Sequence, residues 1–267
     1  MSERARGTGV SRSQAAFVLH TYDWSESSLI LDLYTREEGR LVAAAKGAKR
    51  PYSQLRSVLL PFQCVQVQLS RVRTEHAEDE VRTLRSAEWA AGSAVLPSSA
   101  LLGAYYLNEL LMKFLPRGAV QRELFDHYQV TLAEMARADG DLQAALRAFE
   151  LRLLQELGLL PDLAQDALSG AVLQAAALYT WRPELGVVPA SGQDEALEGQ
   201  AWIGLQAALL AGSEPALRRA CQGPRSALRS LLRLVLAYHL AGAPLRTRDL
   251  MQSLRRLGAL ATPGATP

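Results

Sequence analysis

SSLILDLYTREEGRLVAAAKGAKRPYSQLR, residues 27–56, is the stretch whose reading decides the fold. It opens on a period of two: Leu29, Leu31 and Leu33 fall on one side of an extended chain, and Ile30, Asp32 and Tyr34 on the other. Arg36-Glu37-Glu38-Gly39-Arg40 is a polar, glycine-containing turn, after which RLVAAA (40–45) returns as another apolar strand. A loop marked by glycine and proline follows. It holds Lys46 and Lys49, two of only three lysines in the chain, beside Arg50.

The same pattern extends on both sides. QAAFVLHTY (14–22) is apolar and aromatic, with DWSES as the turn after it. FQCVQVQLS (62–70) alternates Val65, Val67 and Leu69 with Gln66, Gln68 and Ser70, and EVRTLRSAE (80–88) supplies a fifth strand. Five short strands with no long helix between them predict a small antiparallel barrel or sandwich. From about residue 95 the spacing becomes helical. The helical runs are 101–115, which stops at Pro116, then 122–138, 141–158, 226–240 and 247–258. Asp141 and Gly158 suit the N-cap and C-cap of the third. Pro161 to Gly199 is poorly patterned and reads as loop with a short helix. The expected class is α+β multidomain: a five-stranded β-barrel domain over 1–85, an α-helical domain over 86–258 with an irregular insert at about 161–199, and a disordered tail at 259–267.

A length of 267 residues, 49% of them hydrophobic and 21% charged, suits one large domain or two smaller ones. The net charge of +2 conceals an uneven distribution. Residues 1–82 carry 12 basic and 10 acidic side chains, 83–215 carry 8 and 16, and 216–256 carry 9 and 1. Two cysteines without a CxxC build no cysteine-based zinc site and fit a reducing compartment. The opening MSERARGTGVSRSQ lacks an apolar signal core, and no apolar run approaches the roughly 20 residues of a membrane helix. The expectation is a cytoplasmic protein with no membrane partner.

Catalytic signatures are missing. There is no Walker loop, GxGxxG, HExxH or GxSxG, and the four histidines are scattered. EHAEDE (75–80) reads as a solvated hairpin tip rather than a metal site. No catalytic residue, cofactor or metal is expected. The signal lies in the cations. Arg36, Arg40, Lys46, Lys49, Arg50, Arg56, Arg71 and Arg73 lie among only two acids, a local net of +6 (8 − 2). If the strands close, these residues line a groove suited to a phosphate backbone, with lysine as point charge and arginine as fork. Tyr52, with Tyr22, Trp24 and Tyr34, are candidates to stack on unpaired bases. A merely solvated basic loop fits the spacing as well. Arg225, Arg229 and Arg233 form a second, helical stripe near Leu232, suited to phosphates or to an acidic partner peptide.

Three segments carry a resemblance. FVLHTYDWSESSLILDLYTREEGRLVAAAKGAKRPYSQLRSVLLPFQCVQVQL (17–69), AFELRLLQELGLLPDL (148–163) and LLRLVLAYHLAGAPLRTRDLM (231–251) resemble, in order, motifs of the bacterial RecO DNA repair family. The resemblance implies an N-terminal OB-fold and an α-helical domain. It implies a non-catalytic recombination mediator, active at the nucleoid, that binds single- and double-stranded DNA and anneals complementary strands. With RecR, such a protein helps load RecA onto DNA coated by single-strand binding protein. AKGAKR (45–50) then falls in the DNA-contacting domain. A scaffold that chiefly binds acidic partner tails, with weak DNA affinity, is the alternative. Many members carry a four-cysteine zinc module after the P-x-L motif. Here Asp166, Ser169, Pro189 and Gly192 stand about where those cysteines would fall, so no zinc is expected, and packing of Leu168, Val172, Leu173 and Leu178 is expected to replace it.

Overall fold

The computed structural model describes residues 12–71, 81–90 and 95–260. Contacts divide the chain into two compact units. The first joins the residues up to Pro97 with Asn108–Ala133; the second joins Ser98–Leu107 with the chain from Glu134.

In the first unit, β1 (Gln14–Asp23), β2 (Leu29–Thr35), β3 (Gly39–Ala45), β4 (Cys64–Leu69) and β5 (Arg82–Trp89) form a closed, OB-like barrel of order β1-β2-β3-β5-β4. The short helix α1 (Gln54–Val58) lies between β3 and β4. Alternation places the interior as expected: Leu31, Leu33, Val65, Val67 and Leu69 meet Ala16 and Val18 in one buried cluster. Burying each Leu or Val of this set stabilises the fold by about 1.5–3 kcal/mol. Closure comes from antiparallel β1–β4 pairing and from a parallel contact of β3 with β5, Ala43 opposite Arg82. The expected domain limit at residue 85 falls inside β5, whose pairing with β4 continues to Trp89 opposite Val65.

The outer face of β1 and β2 is covered by residues of α2 (Ser98–Phe114) and α3 (Arg122–Met135) that belong to the same unit. Phe17 lies 5.1 Å from Phe125 and 4.9 Å from Tyr128, ring to ring, and Tyr34 lies 5.3 Å from Phe125. The Tyr34 hydroxyl donates to the Gln121 carbonyl at 2.7 Å, and Asn108 Nδ2 to the Leu19 carbonyl at 2.9 Å. Tyr34 is fully buried, so it is an anchor and cannot be the stacking residue expected.

The rim carrying the β2–β3 turn is fastened by ions. Asp32 is buried on the outer face of β2, and Arg40 meets both its oxygens at 2.8 Å. The same guanidinium donates to the carbonyls of Met112 and Leu115. Arg82 donates to Glu38 at 2.6 Å and to the Ser70 carbonyl, and Arg36 holds Asp126 through two bonds of 2.9 and 2.8 Å. Arg36 beside Asp126 keeps that carboxyl below the usual carboxylate range. Gly39 turns at a φ of 71°, and an added Cβ would stand 2.2 Å from the Ala119 carbonyl oxygen.

The second unit is built on α4 (Leu142–Glu156), buried from Ala144 to Leu154. Asp141 accepts from the Ala144 amide at 3.1 Å as N-cap, and Gly158 takes a φ of 69° past its end. Its buried charges are paired: Arg147 with Glu150 at 2.7 Å, and Arg152 with Glu214 at 2.8 Å. Burial pushes the Glu150 carboxyl up, against the opposing pull of Arg147. Four further helices follow: α5 (Gly199–Leu210), α6 (Glu214–Gln222), α7 (Arg225–His239) and α8 (Arg246–Leu260).

The 161–199 segment departs from expectation. It contains an antiparallel sheet of order β7-β6-β8, made of β6 (Leu178–Arg182), β7 (Gly186–Pro189) and β8 (Leu197–Glu198). Of the four apolar residues expected to hold it, Leu173 is buried, whereas Leu168, Val172 and Leu178 are exposed. The packing comes instead from Trp181, fully buried with Trp202 at 6.2 Å in an edge-on contact, and from Val187 and Leu163. Trp202 also donates its indole N–H to the Tyr179 carbonyl at 3.2 Å. Two turns are tied by carboxylates. Asp166 accepts from the Ser169 hydroxyl at 2.5 Å and the Leu168 amide at 3.0 Å, and Asp194 accepts from Arg182 and the Ser191 amide.

Two stability tests follow from this arrangement. Arg40→Ala leaves Asp32 buried without a counterion and should lower the unfolding free energy by about 3–5 kcal/mol in a urea titration. Arg36→Ala breaks a solvent-exposed pair and should cost less than about 1 kcal/mol, so equal costs would contradict the interior role of Arg40. Trp181→Ala removes the centre of the small sheet and should cost about 3–5 kcal/mol; a neutral outcome would show that the indoles do not hold it.

Candidate nucleic-acid interface

The strand register separates the expected cations. β2–β3 pairing runs from Thr35 opposite Gly39 to Leu29 opposite Ala45. The turn with Arg36 and Arg40 is therefore at one rim, and the loop after Ala45 is at the other, roughly 20 Å away at about 3.3 Å per residue. The seven of these eight residues that are described do not line one groove. Arg36 and Arg40 are engaged in the pairs described above. Arg71 is exposed just beyond β4, toward the rim of the β2–β3 turn, since Val67 lies opposite Gln14 at the start of β1. Arg73 and the acidic run 75–80 lie outside the described residues.

The far rim gathers Lys46, Lys49, Arg50 and Arg56. Two loops meet there: the Lys49 amide donates to the Ser27 carbonyl at 3.0 Å across them, and within the first loop the Trp24 amide donates to the Ser28 carbonyl at 3.3 Å. Gly47, at a φ of 74°, lets the chain double back so that the Arg50 amide reaches the Gly47 carbonyl at 3.1 Å. The loops enclose an open cavity of about 330 Å³ lined by Trp24, Ser25, Ser27, Ser28, Lys46, Gly47 and Arg50. Lys49 and Arg56 line a second one with Leu29, Ala48 and Leu59. Lys49 is partly engaged, with Asp23 at 3.1 Å and the Ser25 carbonyl at 3.2 Å. Among the described residues, Lys46, Arg50 and Arg56 have no ion pair. Tyr52, 99% exposed, stands in the same loop.

This rim combines mobile cations, open backbone and exposed rings. It can neutralise phosphates and offer π-faces. Among the described residues, no three His, Cys, Asp or Glu side chains come together as a metal site. Among the described residues, no helix is long and apolar enough to cross a membrane.

The second unit has its own cationic cavity, of about 210 Å³. Arg147, Arg229, Arg233 and Arg248 line it, with Tyr106, Leu146 and Met251 as its apolar wall. Arg147 is more than nine-tenths buried, and its Nε has no hydrogen-bond partner. The expected stripe divides: Arg229 and Arg233 face this cavity, whereas Arg225 is engaged by Asp141 and the Gln222 carbonyl. Leu232, expected as an apolar contact, is fully buried in the helical core. Sequence reasoning missed Arg147. The signal was Arg147 with Glu150 three residues on, a charged pair inside a largely apolar helical run, where buried charge needs a reason.

Comparison with known proteins agrees with both halves. The family described as Recombination protein O N terminal matches residues 11–92, and Recombination protein O C terminal matches 98–249. The DNA repair protein RecO of Variovorax paradoxus (strain S110) is 45% identical over 254 residues, which cover 91% of this chain and 96% of that protein. That of Verminephrobacter eiseniae (strain EF01-2) is 44% identical over 247 residues, and that of Acidovorax ebreus (strain TPSY) 43% over 259, with 96% and 97% of their lengths covered and 91% of this chain in each case. With both family halves matched in order and full-length relatives above 40% identity, the chain belongs to the RecO family of DNA repair proteins.

Proposed function

We propose that this protein is a non-catalytic recombination mediator of the cytoplasm and nucleoid. It binds single- and double-stranded DNA through phosphates at the Lys46–Arg50 rim, anneals complementary strands, and with RecR helps RecA onto DNA coated by single-strand binding protein. The observation that carries the reading is the division of the cations. Arg36, Arg40 and Arg82 are held in ion pairs, whereas among the described residues Lys46, Arg50 and Arg56 have none, and Lys46 and Arg50 line an open cavity. Cations in that state condense onto a polyanion and release its counterions, so affinity falls steeply with salt.

A salt titration of oligonucleotide binding tests this. Each phosphate contact on a single strand contributes about −0.7 to the slope of log K against log salt. Lys46→Ala with Arg50→Ala should flatten the slope by roughly 1–1.5, while Arg40→Ala should leave it unchanged. An unaltered slope in the Lys46 and Arg50 variant would remove the rim from the DNA interface.

The second reading, a binder of acidic partner tails, is favoured by the Arg147 cavity and is compatible with the first. Its apolar wall and four arginines suit the acidic, partly apolar tail of single-strand binding protein. In a polarisation assay with a labelled tail peptide, Arg229→Glu with Arg233→Glu should weaken binding at least about tenfold, a loss of roughly 1.4 kcal/mol. Arg225→Ala should have little effect. Unchanged binding in the double variant would place the tail elsewhere.

A further inference from the structure

Helix α7 begins without a side-chain cap. Its N-cap position is Pro224, which offers no side-chain oxygen to the first turn, whereas α4 is capped by Asp141 and α6 by Ser213. The Leu228 amide donates to the Pro224 carbonyl at 2.9 Å. The amides of Arg225, Ser226 and Ala227 precede it, and a helix supplies no internal acceptor for them. This 15-residue helix also directs the positive end of its dipole here. At this end is a cavity of about 330 Å³, lined by Gln143, Arg147, Cys221, Arg225, Ser226 and Arg229. Arg225 and Ser226 are the first two residues of α7, and Gln143 is the second of α4, so two helix N-termini converge on it.

This cavity adjoins the 210 Å³ one and shares Gln143, Arg147 and Arg229 with it, but the apolar wall of Tyr106, Leu146 and Met251 belongs only to the neighbour. The Cys221 thiol on its wall is neutral, because burial pushes it up to about 12. The charges around it do not cancel. Glu150 takes Arg147 at 2.7 Å and Asp141 takes Arg225 at 2.5 Å, while Arg229 has no ion pair among the described residues, a net of +1 (3 − 2). The Gln222 carbonyl, at the end of α6, already accepts from Arg225. Arg147 adds an independent sign. It is more than nine-tenths buried on this wall, and its Nε hydrogen has no acceptor. A buried guanidinium N–H left unmet is costly and marks where an acceptor oxygen belongs.

We propose that the N-terminus of α7, with Ser226, Arg229 and Arg147, is a binding site for a phosphate monoester. The site depends neither on the barrel rim nor on the acidic-tail reading of the neighbouring cavity. A terminal phosphate presents three acceptor oxygens and close to two negative charges, enough to meet the α7 amides, Arg229 and the Arg147 Nε together. A carboxylate has two oxygens and one charge. A phosphodiester within a strand also has one charge and two free oxygens, so the site reads a terminal phosphate and not the course of a strand. Two kinds of molecule carry that group: a free nucleoside monophosphate and the phosphorylated end of a DNA strand.

The test is calorimetric titration of the full-length protein at constant ionic strength with two pairs of probes: adenosine monophosphate against adenosine, and a thymidine dinucleotide with a 5′-phosphate against the same dinucleotide without it. The phosphorylated member of at least one pair should bind about tenfold or more tightly than its partner. A preference in the adenosine pair assigns a free nucleotide as ligand; a preference in the dinucleotide pair alone assigns the strand end. Ser226→Asp puts a carboxylate in the first turn of α7, where it suits the helix dipole and keeps the fold but occupies the site, and should reduce the preference to below about twofold. Arg233→Ala, which alters only the neighbouring cavity, and Lys46→Ala with Arg50→Ala should leave it unchanged. Equal binding within both pairs overturns the site, as does a preference that survives Ser226→Asp or disappears with Lys46 and Arg50.

Discussion

Closing five short strands into a barrel creates two rims, and at one of them ion pairs occupy Arg36, Arg40 and Arg82. Asp32 lies buried on the outer face of β2, where an unpaired carboxylate would be costly, so Arg40 is required as its partner and is lost to any ligand. Arg82, itself buried, pairs with Glu38, and Arg36 pairs with Asp126 in the open. The N-terminal cations thus divide by register rather than by type. Next to the β2–β3 turn, Arg36, Arg40 and Arg82 are held in ion pairs, and beyond Ala45, among the described residues, Lys46, Arg50 and Arg56 have none.

That division also explains the composition of the loop. Gly47 supplies the positive φ that brings Arg50 back over the cavity, and the Lys49 backbone ties the loop to its neighbour through Ser27. A backbone fixed in this way carries Lys46 and Arg50, which have no ion pair among the described residues, and this suits a ligand whose phosphates vary in position. The same logic recurs in the second unit. Arg147 is anchored by Glu150, yet it keeps one N–H without a partner beside Arg229 and Arg233.

Much of this was legible in the residues. The period of two in 29–33 and 65–69 placed the barrel interior, Asp141 and Gly158 marked the ends of α4, and the lysine-bearing loop stood out by composition. What escaped were effects of non-local pairing. The parallel contact of β3 with β5 depends on closure, and the separation of Arg40 from Lys46 depends on register. The roles of Arg40 and Tyr34 depend on what covers their faces. The start signal Ser213-Glu214-Pro215 of α6 was present but overlooked, and Ser213 does accept from the Ala216 amide. The small sheet escaped because its strands are four or five residues long or shorter, and because two tryptophans far apart in sequence hold it.

The chain's three lysines permit a direct measurement. Lys46 and Lys49 are at the cationic rim, and Lys113 is an exposed residue of α2. Amine acetylation of the full-length protein, followed by mass spectrometry with and without a saturating oligonucleotide, compares all three in one sample. The account predicts strong protection of Lys46, weaker protection of Lys49 because Asp23 already engages it, and none at Lys113. Protection of Lys113 with Lys46 unchanged would contradict it.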